Sequence, residues 1–500
     1  MGRSPRLRLR VFFRIALGSY TWPQCKWARE GEMSLTRQLA QLAHLPASAV
    51  PAAALRIADL SIFDWFACTQ AGLSEPSSRA VRALVSAEAG AAQATLAGGD
   101  AGGKGARVPA RAAALANGTA SHALDYDDTI FGHVAHPSVA VLPAALGAAE
   151  SEGATVEELR VAFVLGVEAS CRLGRHLGAA HYNVGFHQTA TAGAFGAAVA
   201  SARLLGLSEG QTVHALGLVS TRASGLRNQF GSDGKPYNAG LAASNGVEAA
   251  ALARLGFTSH GDGVGGSQGY VATHHGAGGS ADADAGAGDG APPPPPLLLL
   301  PVPQEGRFFS EEVSYKFHAC CHGTHAMIEA LLALRAQHAD LLGSAAAADV
   351  VDVVERIEVR TAPRWMGVCN LPAPRTGLEA KFSYRLLAAL TLLGVDTGRL
   401  DSYCEGNCAR PDALALRERV HVVGAPEVAE TAAEVRVELR GGGAALVAQF
   451  DLAEPVGHEE LQVKLLGKVG ALVGAAKAER LWENIALLPR SRPAQDLWLA

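Results

Sequence analysis

The sequence predicts a mainly α-helical protein with a large all-helical domain, a smaller α+β domain and an active site in the cleft between them. Three observations predict this fold. Of the 500 residues, 49% are apolar but only 6% are aromatic, so the interior must consist chiefly of Ala, Leu and Val, which favours packed helices. Ala-rich amphipathic stretches repeat from about residue 35 to 257, and β-branched alternations appear only beyond residue 306. A cleft between two unlike domains is a common place for a small-molecule site.

The chain divides into five segments that differ in composition and in the pattern of apolar residues. The first is an N-terminal extension, the second the helical domain, the third a low-complexity insertion rich in Gly, Ala and Pro, the fourth the small α+β domain, and the fifth a set of C-terminal helices that returns to the helical domain. In that order, the predicted segments are 1–32, 33–262, 263–305, 306–455 and 456–490. The insertion contains the run G-A-P-P-P-P-P, which cannot bury a core and should form a flexible or polyproline segment.

The α+β domain is predicted from two stretches in which β-branched and polar residues alternate. They lie at 350–360 and 432–450, and the second should form a hairpin that turns at three consecutive glycines. Helical patterns at 321–337 and 379–393 accompany them. Strands and helices that are mixed in this way indicate an α+β layer.

Composition and charge exclude several classes of function. A formal net charge of -5 and a pI near 6.4 provide no broad basic surface for nucleic acid. The eight cysteines show no disulfide or zinc spacing, and no apolar run reaches the roughly eighteen residues that span a bilayer. We therefore expect a cytoplasmic protein without nucleic-acid or membrane partners. Residues 1–32 are rich in arginine and suit either a mitochondrial transit segment or an over-long start before Met33, and we favour the second interpretation.

The segment from Ser121 to Ser138 contains the strongest functional motif, which ends in D-Y-D-D-T-I-F-G-H-V-A-H-P-S. Three carboxylates, a hydroxyl and two imidazoles fall within a few residues of one another. Clustered acids raise one another's pKa and imidazoles titrate near neutrality, which are the conditions for general acid–base catalysis. The alternative is a helix cap that follows a solvated acidic turn. We favour an active-site segment, because the two histidines add to the acids.

Two shorter motifs place single side chains at the starts of predicted helices. In V-G-F-H-Q-T-A-T-A-G, His187 directly precedes a helix of small residues, where free N–H groups favour an anion. In F-G-S-D-G-K-P-Y-N-A-G, Lys235 lies in a Gly-rich turn that suits a carboxylate, and the spacing is not that of a nucleotide-binding loop. Taken alone, His187 is better explained as a cap or packed ring, and Lys235 as a solvated turn lysine.

A fourth motif, S-Y-K-F-H-A-C-C-H-G-T-H, carries Lys316 and three histidines, and it has a metal-binding alternative. His318, His322 and His325 have the spacing i, i+4 and i+7, which would present three imidazoles on one helical face to a metal ion. The glycine within the run, the missing carboxylate and the lack of the order H-E-x-x-H disfavour that alternative. We predict no metal site.

Taken in order, these motifs resemble the MmgE/PrpD family. The resemblance rests on N-G-T-A-S-H-A-L-D-Y-D-D-T with H-P-S-V-A-V-L-P, on G-F-H-Q-T-A-T-A-G-A-F-G-A-A, on G-S-D-G-K-P-Y-N-A-G, on K-F-H-A-C-C-H-G-T-H and on E-A-K-F-S-Y, and it extends from about residue 35 to 490. The family includes 2-methylcitrate dehydratase, cis-aconitate decarboxylase and iminodisuccinate epimerase. The resemblance implies the two-domain fold given above, no metal or organic cofactor, and a homodimer.

The resemblance also implies catalytic roles for four residues. The family's active-site aspartate and threonine fall on Asp125 and Thr129, and its two histidines fall on His136 and His187. The two imidazoles would exchange the proton next to a substrate carboxylate. Asp125 would orient an imidazole, and Thr129 would hydrogen-bond the substrate. Positioned proton transfer of this kind contributes about a hundredfold to ten-thousandfold to a rate.

Two lysines and two departures from the family pattern complete the prediction. The family's lysines fall on Lys235 and Lys316, which would hold substrate carboxylates in a partly dry cleft. Compared with the decarboxylase, the loop from the threonine to the histidine is one residue longer, and the tyrosine after E-A-K aligns with Leu386. We therefore expect dehydration of a 2-methylcitrate-like acid, with decarboxylation or epimerisation of a related polycarboxylate as alternatives. A metal-dependent hydrolase and a non-catalytic helical binding protein are the alternatives from other classes.

Overall fold

The structure, a computed structural model, describes residues 33–88, 90–98, 105–274, 303, 306–342 and 347–499. The predicted N-terminal extension lies outside the described residues, as does most of the predicted insertion. The described residues form a large helical domain and a smaller α+β domain. The predicted fold class is therefore confirmed.

The helical domain is built from ten α-helices and a short antiparallel ribbon of two strands among the described residues. They are α1 (Leu35–Ala43), α2 (Ala52–Gly72), α3 (Pro76–Glu88), β1 (Ala94–Thr95), β2 (Arg107–Val108), α4 (Ala110–His122), α5 (Pro137–Glu152), α6 (Val156–Val184), α7 (Gln188–Leu204), α8 (Glu209–Ser220), α9 (Gly234–Arg254) and α10 (Tyr270–His274).

Local sequence signals explain where these helices begin. The Thr155 hydroxyl accepts a hydrogen bond from the Glu158 amide, and the Glu158 carboxylate accepts one from the Thr155 amide, which forms a capping box before α6. Pro137 is the first residue of α5 and His136 is its N-cap, a position where proline lacks only a hydrogen bond that the helix start could not make. The proline that ends the predicted active-site loop therefore also begins a helix.

Small residues let the central helices approach one another at backbone distance. A Cβ atom on Gly118 of α4 would lie 2.9 Å from the Cα atom of Gly240 in α9, and a Cβ atom on Gly240 would lie 2.2 Å from the carbonyl oxygen of Leu115. Since neither contact leaves room for a side chain, the two helices require glycine here. The close approach brings the N-terminal part of α9 against the C-terminal half of α4.

The α+β domain combines eight mostly short helices with a four-stranded sheet. Its elements are α11 (His325–Gln337), α12 (Ala339–Leu342), α13 (Ala347–Val353), β3 (Val354–Thr361), α14 (Pro363–Met366), α15 (Gly377–Ala380), α16 (Tyr384–Leu392), α17 (Glu405–Ala409), α18 (Pro411–Arg417), β4 (Val420–Gly424), β5 (Ala432–Leu439) and β6 (Leu446–Asp451).

The sheet has the strand order β4-β3-β5-β6, with β3 parallel to β4 and antiparallel to β5. The predicted hairpin is confirmed: β5 pairs with β6 so that Ala432 lies opposite Asp451. Its turn contains Gly441, Gly442 and Gly443, each with a positive φ, a conformation that L side chains rarely adopt. The helix α11 packs on β5 and β6, and this contact buries the apolar face of the sheet.

The C-terminal helices α19 (His458–Val473) and α20 (Ala475–Leu487) pack on α2 of the helical domain. Lys468 of α19 forms a buried ion pair with Asp64 of α2 at 2.5 Å. Apolar side chains of α20, including Leu481 and Ile485, belong to the same core as those of α2. The C-terminal helices α19 and α20 therefore pack against the helical domain.

Residues 263–274 differ from the predicted insertion, because they belong to the helical core. Val264 and Tyr270 are buried in a cluster with α1, α7 and α8. The ring of His274 stacks on the ring of Tyr270, with ring centres 4.1 Å apart. Among the described residues, no helix is long and apolar enough to cross a membrane.

Candidate active site

The loop between α4 and α5, residues 123–136, carries the candidate site. Asp125 adopts a left-handed conformation with φ of 53°, which is uncommon for a residue other than glycine. Lys316 Nζ donates a hydrogen bond to the Asp125 carbonyl oxygen at 2.6 Å. Lys468 Nζ donates one to the next carbonyl oxygen, that of Tyr126, also at 2.6 Å. Two ammonium groups therefore hold consecutive carbonyls of the loop in place.

Asp125 is in contact with three other residues that the sequence singled out. Its carboxylate lies 2.7 Å from Lys235 Nζ, 3.1 Å from Lys316 Nζ and 3.5 Å from His136 Nε2. Burial raises the pKa of Asp125, but the charges of Lys235 and Lys316 outweigh burial and hold that pKa well below its usual range. The carboxylate is therefore ionised and lies between two cations.

Asp127 lies between two imidazoles, and the sequence reasoning did not assign it a role. His122 Nδ1 lies 2.9 Å from one carboxylate oxygen and His136 Nδ1 lies 2.8 Å from the other. The side chains of Asp127 and His122 are buried. Burial raises the pKa of Asp127, but the two imidazoles outweigh it and hold the carboxyl ionised. The closer orienting group for His136 is therefore Asp127 and not Asp125, and His122 is a further imidazole that the sequence reasoning missed.

The two histidines that were predicted to be catalytic each precede a helix, and both imidazoles are neutral at pH 7. Burial lowers the pKa of His136 to about 4, although Asp127 opposes the shift. Burial, with His122 as the next contribution, lowers the pKa of His187 well below its usual range. The His187 ring stacks 6.0 Å from the His122 ring, and the amide of Asn238 lies 3.3 Å from its Nδ1. Both imidazoles can therefore accept a proton.

Thr129 is directed toward a different histidine. Its backbone pairs with Ser314, with both hydrogen bonds at 2.8 Å, and its hydroxyl lies 2.6 Å from His322 Nδ1. Burial lowers the pKa of His322 well below its usual range. The structure therefore brings Asp125, His136, Lys235 and Lys316 into direct contact and places Thr129 in an adjoining hydrogen bond.

Two other groups of the motif serve the architecture of the loop. His133 packs against α6 so closely that a Cβ atom on Gly174 would lie 2.2 Å from its Cδ2 atom. Asp128 accepts hydrogen bonds from the hydroxyl and the amide of Ser138 in the first turn of α5. Of the two imidazoles in the motif, only that of His136 therefore contacts Asp125. We call Asp125, Lys235, Lys316 and His136 the Asp125 cluster.

The three histidines of the metal-binding alternative do not lie on one helical face. The helix α11 starts at His325, and His322 lies in a preceding 3-10 turn. The His318 and His325 rings are 4.9 Å apart, and the His322 and His325 rings are 4.5 Å apart. His318 Nδ1 lies 2.8 Å from the Thr397 hydroxyl, and its Nε2 lies 3.4 Å from the Glu329 carboxylate. These rings pack on one another and do not present one row of ligands.

The described residues contain one group whose His and Asp ligand atoms all lie within 4.8 Å of one another. Its members are His122, Asp125, Asp127 and His136. Lys235 and Lys316 already supply two positive charges at Asp125, so that a divalent cation would meet strong repulsion. The same charges favour an anion beside the imidazoles. The arrangement can bind carboxylates and move protons next to them.

Most of the chain matches known proteins in sequence. Residues 37–279 match the MmgE/PrpD N-terminal domain, and residues 318–488 match the MmgE/PrpD C-terminal domain. The chain is 25% identical over 467 residues to a cis-aconitate decarboxylase of Aspergillus terreus, an alignment that covers 88% of this chain and 90% of the relative. It is 27% identical over 329 residues to the cis-aconitate decarboxylase of Mus musculus, covering 64% of this chain and 62% of the relative. It is 36% identical over 155 residues to that of Homo sapiens, covering 30% and 32%.

Proposed function

We propose, from the premise that this chain belongs to the MmgE/PrpD family, that it is a lyase that acts on a small di- or tricarboxylic acid by acid–base chemistry. The first candidate reaction is decarboxylation of a cis-aconitate-like acid. The observation that carries the proposal is the pair of ammonium groups at Asp125, 2.7 and 3.1 Å from its carboxylate, beside the imidazole of His136.

The charges of the cluster explain how an anionic substrate would be bound. The charges of Lys235 and Lys316 are balanced by those of Asp125 and Asp127. Burial keeps the imidazoles of His136 and His187 neutral. A bound polycarboxylate would add negative charge in a poorly hydrated site, which raises the pKa of an imidazole. His136 or His187 would then take up a proton and hold it for the reaction. Binding and the supply of a catalytic proton would therefore be coupled.

In decarboxylation, the bond between a carbon and its carboxylate breaks and carbon dioxide leaves. The electron pair of that bond passes into the neighbouring unsaturated acid, and a proton from an imidazolium is then added to carbon. The lysines would stabilise the charge that develops on the remaining carboxylates. The similarity to the Aspergillus terreus decarboxylase along nearly the whole chain supports this reaction.

Dehydration of a 2-methylcitrate-like acid is the second candidate, because two observations favour it. Leu386, where the family resemblance implies a tyrosine in the decarboxylase, is buried in α16 and offers no hydroxyl. The neighbouring Tyr384 donates its hydroxyl hydrogen bond to the Gly323 carbonyl oxygen at 2.6 Å. In dehydration, a neutral imidazole removes the proton next to a carboxylate, and the resulting imidazolium returns that proton to the departing hydroxyl group, which leaves as water. The neutral state of His136 suits that first step.

A substrate panel tests the proposal. The protein is incubated with cis-aconitate, citrate, 2-methylcitrate and iminodisuccinate, with and without EDTA, and the products are followed by NMR and mass spectrometry. Carbon dioxide release from cis-aconitate that EDTA leaves unchanged supports the first candidate, and water loss from 2-methylcitrate supports the second. Loss of all activity in EDTA would favour a metal-dependent enzyme, and inactivity on every acid would contradict the proposal.

The His136→Gln variant tests the catalytic assignment on whichever acid reacts. We expect kcat/KM to fall about a hundredfold to ten-thousandfold, because glutamine cannot exchange a proton. His325→Gln is the matched control, since it changes a buried imidazole of the neighbouring ring cluster. Circular dichroism should show both variants folded. Full turnover by His136→Gln would remove His136 from the mechanism.

A further inference from the structure

A cavity of about 440 Å³ is lined in part by chain neighbours of two predicted site residues. Two of its lining residues, Phe186 and Gly234, immediately precede His187 and Lys235 in the chain. Its size falls within the range of small-molecule pockets in proteins. The cavity is therefore close enough to the site to receive part of a bound substrate.

Two other lining residues of the cavity hold His187 in place. The Gly225 carbonyl oxygen accepts a hydrogen bond from the His187 backbone amide at 2.9 Å. The amide of Asn238 lies 3.3 Å from Nδ1 of the His187 ring. The residues that position this imidazole therefore also form one wall of the cavity.

The chemistry of the cavity differs from that of the Asp125 cluster. Phe186, Leu226 and Tyr237 supply its apolar surface. The other side chains of the lining are the uncharged Ser224, Gln229 and Asn238, so among the described residues no charged side chain lines the cavity. Leu226 is 51% exposed and Tyr237 is 39% exposed. Apolar side chains that are grouped at a surface in this way usually mark a binding site. The carboxylates of a substrate would bind to the lysines, and contact with these apolar side chains would not stabilise them. The cavity is suited to an apolar group.

The apolar wall is built from fixed backbone. Phe186 and Leu226 form an antiparallel bridge, and the Arg227 amide donates a hydrogen bond to the Gly185 carbonyl oxygen at 2.8 Å. The Phe186 ring stacks on His181 with ring centres 4.5 Å apart and an angle of 6° between the planes. The wall therefore has a defined shape before a ligand arrives.

From this juxtaposition of an apolar cavity with His187 and Lys235, we propose that the substrate is a polycarboxylic acid that carries an alkyl substituent longer than a methyl group. This inference rests on the proposed function and deepens it. The lysines would hold the carboxylates, and the alkyl chain would lie along Phe186, Leu226 and Tyr237. An alkyl chain that leaves water gains roughly 0.8 kcal/mol for each buried methylene, which corresponds to roughly fourfold in kcat/KM.

The test measures kcat/KM along a series of acids that differ only in the length of one chain. The series contains citrate, 2-methylcitrate, 2-propylcitrate and 2-butylcitrate, together with the corresponding cis-aconitates. For the wild-type protein, we expect kcat/KM to rise by roughly fourfold for each added methylene until the cavity is filled. A value that stays flat or falls with chain length, while the unsubstituted acid reacts, would overturn the inference.

A matched pair of variants assigns the effect to the cavity. Leu226→Trp should fill the cavity and lower kcat/KM for the butyl acid by about tenfold or more, while the unsubstituted acid changes by less than about twofold. Val184→Trp is the control, because Val184 is exposed near the end of α6 but does not line the cavity. It should leave the chain-length series unchanged. A chain-length gain that survives in Leu226→Trp would count against the cavity.

A binding measurement separates this inference from the proposed function. Propane-1,2,3-tricarboxylate and its butyl derivative lack both the hydroxyl group that dehydration removes and the double bond that decarboxylation requires, so calorimetry with both acids gives affinities even if no acid is turned over. Tighter binding of the butyl acid that is lost in Leu226→Trp supports the inference. Equal affinities overturn it. A change of solution mass in Leu226→Trp without any chain-length effect would assign the apolar wall to contact with a second copy and would also overturn it.

Discussion

Two lysine–aspartate pairs hold consecutive residues of the same loop, but one pair is open and the other is closed. Lys316 binds the carbonyl oxygen and the carboxylate of Asp125. Lys468 binds the carbonyl oxygen of the next residue, Tyr126, and the carboxylate of Asp64. The Asp125 side chain is 24% exposed and has a second lysine, whereas Asp64 and Lys468 are each 1% exposed. The open pair can meet a ligand, and the closed pair can only stabilise the fold.

The difference in exposure shows that the same kind of ion pair, a lysine with an aspartate, can serve a binding site in one place and stabilise the fold in another. At Asp125, two cations share one carboxylate whose side chain is partly exposed, so an incoming anion can compete for them. At Asp64, one cation meets one carboxylate without solvent, and the gain offsets the desolvation of both charges only while both remain. Exposure and charge ratio therefore separate the candidate site from its support more clearly than residue type does.

The largest expected effects come from the same substitution in each pair. Lys316→Met should lower kcat/KM by about thirtyfold to a few thousandfold, equivalent to about 2–5 kcal/mol, because a buried charged partner of the substrate is lost. Lys468→Met should instead lower the free energy of unfolding by about 3–5 kcal/mol, because Asp64 is left buried and unpaired. Urea denaturation and steady-state kinetics on the folded fraction measure both quantities.

The comparison has a built-in control. The double variant Lys468→Met/Asp64→Leu should recover most of the stability lost in Lys468→Met, since an apolar pair of similar volume can replace a buried ion pair. If Lys468→Met destroyed activity without changing the free energy of unfolding, the closed pair would not be structural. If Lys316→Met lost only stability, the open pair would not bind substrate.

Much of the open site could be predicted from the sequence, because its members lie in short ordered motifs. Asp125, His136, Lys235 and Lys316 were named from those motifs, and the structure places them in contact. Their catalytic roles stay predictions. Asp127 lies two residues from Asp125 in the same motif, and the three carboxylates of that motif gave no means of choosing which one faces an imidazole. That choice depends on the left-handed turn at Asp125.

Contacts between distant segments could not be predicted in this way. Lys468 reaches Asp64 only because α19 packs on α2, and nothing near either residue in the sequence indicates the other. His318, His322 and His325 do not share one helical face for a related reason. The amides of Ala319 and Cys321 donate hydrogen bonds to the carbonyl oxygens of Thr397 and Lys381. Bonds to other segments replace the helical ones, so the spacing of the histidines did not produce a helix.

Asp128 extends the comparison to an acid that has no cationic partner among the residues that the structure describes. Burial raises its pKa to about 8, although the hydroxyl of Ser138 opposes the shift. The folded protein therefore keeps this proton between about pH 4 and 8 while the unfolded chain releases it, so the contribution of Asp128 to stability is full below pH 4 and is lost as the pH rises toward 8. Relative to wild type, Asp128→Asn should become more stable as the pH rises through that range.

Urea denaturation of both proteins at several pH values between 4 and 8 measures this difference. The wild-type free energy of unfolding should fall relative to that of Asp128→Asn by an amount of the order of a few kcal/mol. Two curves that run parallel over this range would show that Asp128 titrates alike in the folded and unfolded chains.

The smallest effect, the pH dependence of kcat/KM, distinguishes the two candidate reactions at the open site. kcat/KM reports the free protein, in which the pKa of His136 is lowered to about 4 by burial. If His136 removes a proton, as in dehydration, kcat/KM should be level above about pH 5 and fall about tenfold per pH unit below 4. If His136 must donate a proton, as in decarboxylation, kcat/KM should rise as the pH falls and become level below about 4.

Asp127→Asn assigns that titration to His136 rather than to the carboxyl groups of the substrate. Asp127 raises the pKa of His136 by its charge and its 2.8 Å contact, so removal of the charge should move the midpoint of the profile to lower pH. The ionisation of the substrate is the same for both proteins and cannot produce a shift between them. An unchanged midpoint in Asp127→Asn would mean that another group, and not His136, controls the reaction.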